Sequence, residues 1–127
     1  MARKQVGAAA SGSTDVVTVA DIAAAKLVTE SAQTANYTLV LADGGNAVSM
    51  SNASARTITV PPNSTAAFPV GTVIELLRLG SGAVTVVAGS GVTIRTAGGL
   101  LALRAQYSAA SIRKRATNEW VLVGDLA

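Results

Sequence analysis

The sequence contains no cysteine and no histidine. Without cysteine there is no disulfide framework and no thiolate nucleophile or metal ligand. Without histidine the chain lacks the commonest metal ligand and the usual general base near neutral pH. Aromatic residues are nearly as scarce, with one Phe, one Trp and two Tyr in 127 residues. Half of the residues are nevertheless hydrophobic, so the apolar mass falls mainly on Ala and Val. Such side chains bury little area each, and the core of an isolated chain is expected to be thin. Association with copies of itself or with a larger surface would relieve that.

Charge is sparse too. Ten basic and seven acidic residues leave a formal charge of +3. Nucleic-acid binders usually carry a denser basic patch, so no nucleic-acid partner is expected. The opening MARKQVGAAASGSTD has a basic start but no apolar core segment, which argues against a secretory signal. The charge-free stretches between Arg56 and Glu75 and between Arg78 and Arg95 are broken by Pro or Gly and rich in Ser and Thr. Neither reads as a membrane span, and no membrane partner is expected.

What the chain does have is a run of short apolar, β-branched segments from Arg56 to Arg95. Thr57-Ile58-Thr59-Val60 stops at Pro61-Pro62, and Thr72 to Leu79 stops at Gly80-Ser81-Gly82. Ala83 to Ala88 stops at Gly89-Ser90-Gly91, and Val92-Thr93-Ile94 follows. Val, Ile and Thr suit a pleated, half-buried surface, and Gly or Pro between runs supplies reversals. The pattern predicts a meander of short strands, with both Gly-Ser-Gly segments as hairpin turns. The fold class is mainly β, a small antiparallel sandwich or barrel. At this length there is room for one such domain, burying roughly two thirds of its unfolded surface.

Two segments are expected in order. Residues 1–33 form an N-terminal arm and a short helix, an anchor or assembly element; residues 34–127 form the β domain. Residues 1 to about 14 are small and polar and read as a flexible arm. Thr18 to about Ser31 is the one plausible helix, with Thr18 and Asp21 in a capping-box spacing and Ala23-Ala24-Ala25 favouring helix. Asp15 to Val19 reads equally well as a strand. From Tyr37 onward the character is β. Val48 and Met50 share one face of Ala47 to Ser51. Val73, Glu75, Leu77 and Leu79 oppose Ile74, Leu76 and Arg78 in the segment Thr72 to Leu79. Mixed faces of this kind suit a strand covered on both sides, as at a subunit interface. Tyr107 to Arg115 and Glu119 to Val123 flank Ala116-Thr117-Asn118, a closing hairpin that turns Trp120 and Leu122 into the core.

Catalysis needs a positioned nucleophile, acid, base or metal. The carboxylates Asp15, Asp21, Glu30, Asp43, Glu75, Glu119 and Asp125 form no cluster in sequence and read as solvated surface groups. Gly80-Ser81-Gly82 and Gly89-Ser90-Gly91 lack the helix and Lys of a phosphate-binding loop. No catalytic, cofactor-binding or metal site is expected, and no cofactor. The one charge run, Arg113-Lys114-Arg115, reads either as protection of a sheet edge or as a contact to an acidic partner.

A resemblance sharpens this. The strings are Tyr37-Thr38-Leu39-Val40-Leu41-Ala42-Asp43-Gly44-Gly45, Thr57-Ile58-Thr59-Val60-Pro61-Pro62-Asn63-Ser64 and Phe68-Pro69-Val70-Gly71-Thr72, followed by Gly89-Ser90-Gly91-Val92-Thr93-Ile94, Ala105-Gln106-Tyr107-Ser108 and Trp120-Val121-Leu122-Val123-Gly124-Asp125. In this order they resemble a β-rich module of tailed-bacteriophage structural proteins, found in tail fibres and in head fibre or head decoration proteins. The resemblance covers roughly residues 35 to 126. It implies a non-enzymatic virion protein, usually trimeric, with itself and a major capsid protein as partners. Because the module makes up nearly all of this sequence, a capsid decoration or head fibre role is expected, with the N-terminal segment as the anchor. The alternative is a tail fibre or baseplate module that binds a receptor or glycan near Tyr37, Tyr107 or Trp120.

Overall fold

A computed structural model describes residues 27–127 and places ten strands in two sheets. The strands are β1 (Glu30–Gln33), β2 (Tyr37–Thr38), β3 (Ala47–Met50), β4 (Arg56–Val60), β5 (Val73–Arg78), β6 (Val84–Ala88), β7 (Thr93–Thr96), β8 (Ala102–Leu103), β9 (Ala109–Ala116) and β10 (Glu119–Gly124). The expected arm and residues 18–26 of the expected helix lie outside the described residues. The helix does not reach Ser31. Residues 27–29 are irregular, and Glu30 and Ser31 belong to β1. Thr29 O accepts from Ala47 N–H at 3.0 Å, and Gln33 O accepts from Ser51 N–H at 2.9 Å. A parallel ladder with β3 thus takes the backbone groups that the end of a short, marginal helix would have used. Residues 30–33, expected with the arm, form the edge of the six-stranded sheet.

The pairing differs from a meander. The larger sheet has the order β1-β3-β5-β9-β10-β7 and the smaller β2-β4-β6-β8. Successive strands from β1 to β6 alternate between the two sheets. Each then pairs in parallel with the strand two before it: β1 with β3, β3 with β5, β2 with β4, β4 with β6. The chain therefore winds in flattened coils, each coil contributing one strand to each layer. Antiparallel pairing occurs at β6–β8, β5–β9 and β9–β10 and at one bridge between Leu103 and Leu126. The expected antiparallel sandwich is thus a sandwich of mixed and largely parallel sheets.

The Gly-Ser-Gly segments carry the chain across from one sheet to the other and close no hairpin. Their glycines serve stacking. A Cβ on Gly82 would overlap the Ser54 carbonyl, and one on Gly80 would overlap the Asn52 backbone. Gly82 N–H donates to Asn52 O at 2.8 Å, and Gly89 N–H donates to Val60 O at 2.8 Å. Each loop lies directly on the loop of the coil before it, and only a residue without a side chain fits there.

Between the sheets sits one core. Val48, Met50, Ile74, Leu76, Ile112, Trp120 and Leu122 come from the larger sheet, and Ile58, Val60, Val84, Val86 and Leu103 from the smaller. Phe68 meets Trp120 edge to face, with ring centroids 5.4 Å apart and planes at 85°. The predicted hairpin β9–β10 is present, with Trp120 and Leu122 buried and Val123 exposed on the opposite face. The alternation separates the two faces of β5 as expected, and it is the Ile74 and Leu76 face that turns inward, with Val73 and Glu75 exposed on the other. Ser49, expected on the face opposite Val48, is nevertheless also buried.

Candidate functional site

Three of the five described side-chain carboxylates, Asp43, Glu119 and Asp125, serve the scaffold and do not stand as free solvated groups. Asp43 is buried and accepts from the Tyr37 hydroxyl at 2.8 Å and from Val40 N–H at 2.9 Å, tying a 3-10 turn at Leu41–Asp43. Burial, and then the hydrogen bond to the Asp43 carboxylate, raise the Tyr37 pKa. Glu119 lies between Arg95 at 3.3 Å and Arg115 at 2.5 Å. Asp125 takes a two-pronged contact from Arg104 at 2.6 and 2.8 Å and a 2.7 Å bond from the Ser108 hydroxyl. Those donors, Arg104 first, hold its carboxyl below the usual range. Glu30 and Glu75 are exposed, and Asp15 and Asp21 lie outside the described residues. No group of three metal-binding side chains and no pocket occurs among the described residues.

The run Arg113-Lys114-Arg115 is divided by strand parity. Its strand, β9, lies between β5 and β10, so the edge-protection reading is overturned. Lys114 points into the core beside Ile112 and is 1% exposed. Its ammonium donates to Asn63 Oδ1 at 2.6 Å and to Phe68 O at 2.7 Å. Burial depresses its pKa. Asn63 N–H in turn donates to Asn118 Oδ1 at 2.8 Å, so Lys114 and Asn118 together fasten the 61–69 loop to the closing hairpin. Arg113 and Arg115 stay on the exposed outer face.

The three aromatic side chains named for a glycan site do not form one. Trp120 is enclosed in the core, and Tyr37 is half-buried against Asp43. Tyr107 alone is exposed, at 70%. Its φ is +72°, the only non-glycine residue in the left-handed region among the described residues. The turn around it closes with Ser108 N–H on Ala105 O at 3.0 Å and Ala105 N–H on Ser108 Oγ at 2.9 Å. Tyr107 N–H donates to Arg78 O at 2.6 Å, and Gln106 Nε2 donates to Leu79 O at 2.9 Å. The Arg78 guanidinium reaches Gly80 O, Leu103 O and Ser81 O at 3.3, 3.1 and 2.6 Å, tying the Gly80–Gly82 loop to β8 beneath the turn. A non-glycine residue in this conformation costs about 1–2 kcal/mol. The hydrogen-bonded turn thus combines a strained backbone with an exposed aromatic ring, two features that each recur at recognition surfaces.

Local sequence carried no sign of this. Ala105-Gln106-Tyr107-Ser108 has no Gly or Asn to mark a left-handed position, although alternation from Ile112 could have placed Lys114 inside. Comparison with protein-family models, with curated proteins and with solved structures finds no match.

Proposed function

We propose that this chain is a non-enzymatic structural protein of a tailed-phage virion, a capsid decoration or head fibre-like protein. It forms a homotrimer and binds and stabilises the capsid exterior through its N-terminal region. Its site of action is the virion surface, after synthesis in the host cytoplasm. The observation that supports this reading most is where the resemblance motifs sit. Asn63, Phe68 and Trp120, which belong to three of those strings, meet in the cluster that Lys114 fastens, in a body with no pocket among the described residues. Such a body suits repeated display on a lattice, where several weak anchors on one oligomer bind together far more tightly than one.

Co-sedimentation with phage shells that lack the protein tests the reading. Saturation at hundreds of copies per shell is the expected result, and no binding would refute it. Removing residues 1–26, which spares β1, is expected to leave a folded body that no longer sediments with shells. Full binding by the truncated protein would refute the anchor assignment.

A second reading, a tail fibre or baseplate module for a receptor or glycan, is favoured by one observation: the strained, exposed Tyr107. In that case Tyr107→Gly, which relieves the backbone, abolishes binding to host cells without lowering stability. Unchanged cell binding by that variant removes this second reading.

A further inference from the structure

The two outward faces of the sandwich differ in kind. On the smaller sheet the outward positions of β2, β4, β6 and β8 are Thr38, Thr57, Thr59, Thr85, Val87 and Ala102, without a charge. On the larger sheet, two rows of side chains cross the strands. One row runs Glu30, Ala47, Glu75, Ser111, Val123; the other runs Val73, Arg113, Val121, Arg95. The acids fall on β1 and β5 and the bases on β9 and β7. Glu119 neutralises one of the three guanidiniums of Arg95, Arg113 and Arg115. The face therefore carries two negative charges on one half and two positive charges on the other.

Between and around these charges lie apolar side chains. Val73 and Val123 are 42% and 57% exposed, and Leu77, Ala109 and Val121 are half-buried. Glu75 and Arg113, on adjacent strands at the middle of the face, are both exposed, and neither forms an ion pair with a described residue. A surface with apolar side chains set among separated opposite charges is complementary to itself.

We infer that this face is the contact between copies of the chain, the acidic half of one against the basic half of the next. The inference rests on the trimer in the proposed function and assigns its interface; it is independent of the capsid. Three such faces turned toward a common axis each offer one half to each neighbour, so every contact joins acid to base. An uncharged threonine face has no such means of choosing its partner.

The test is sedimentation velocity and light scattering on the full chain, with Glu75→Arg, Arg113→Glu and the double variant carrying both. Both positions are exposed, and circular dichroism checks that each variant keeps its fold. A trimeric parent is expected, with self-association weakened at least tenfold by either single reversal and restored by the double reversal, which rebuilds the pair with its sign exchanged. Unaltered association in the singles, or a double variant no better than the singles, overturns this interface while leaving the trimer standing. A monomeric parent at high micromolar concentration overturns both.

Discussion

The wound part of the molecule, β1 to β6, and the closing hairpin, β9–β10, are held to the body by different means. In the wound part, loop lies on loop through backbone bonds such as Gly82 to Asn52 and Gly89 to Val60, and glycines permit the approach. Around the hairpin, beside its ladders to β5 and β7, charged groups add ties: Lys114 on Asn63 and Phe68, Arg104 and Ser108 on Asp125, Arg95 and Arg115 on Glu119. The difference follows from geometry. Stacked coils present matching backbone to each other at every turn, whereas the hairpin slots in between β5 and β7 after the winding ends. Where neighbouring loops no longer run in step, long side chains must span the gap.

Replacing the strongest of these ties tests the contrast most severely. Lys114→Ala leaves a cavity beside Trp120 and strips two carbonyl oxygens of their donor, with an expected loss of about 3 kcal/mol in urea unfolding. Lys114→Met keeps the stem and removes the cost of burying an ammonium, so its loss is expected to be about half as large. If the two variants lose equally, the charge-assisted bonds and not the packing set the effect. In the wound part, Gly82→Ala forces the Gly80–Gly82 loop off the coil below and is expected to cost about 2 kcal/mol, read by the same unfolding curves. Gly45, which has open space around it, serves as the control for a glycine held by its positive φ alone.

The smallest expected effect concerns pH at the hairpin's end. The folded pKa of Asp125 lies below its unfolded value, so its pairing with Arg104 and Ser108 stabilises the fold above the ordinary carboxylate range. That contribution fades as pH falls from about 4 through the folded value. Asp125→Asn is expected to lower the neutral plateau of a melting-temperature profile slightly and to leave its acid end nearly unchanged, so that the acid limb flattens. An acid limb identical to the parent's would show that other carboxylates govern it.

These cases also mark how far local reading reaches. Trp120 and Leu122 on β10 were legible as inward residues, and Ile74 and Leu76 on β5 as sharing a face, because a strand alternates sides with period two. The hairpin at Ala116-Thr117-Asn118 was legible because both of its strands are sequence neighbours. The Gly-Ser-Gly loops were legible as turns but not as crossings, since a glycine marks a change of direction and not the layer the chain enters next. Tyr107 was illegible because its φ is imposed by bonds to Arg78 and across the Ala105–Ser108 turn, against its own preference.

By itself, then, the sequence determined a β-rich body, the positions of most strands and which side chains of each strand could share a face. These depend on side-chain shape and on residues a few positions apart. The tertiary structure alone decided that β1 to β6 wind between two sheets in parallel, that Lys114 finds its acceptors 51 and 46 residues away, and that the larger sheet carries opposite charges on its two halves. Each of those depends on which distant strand pairs with which. That choice is made by the energy of the whole packed core, and no local window contains it.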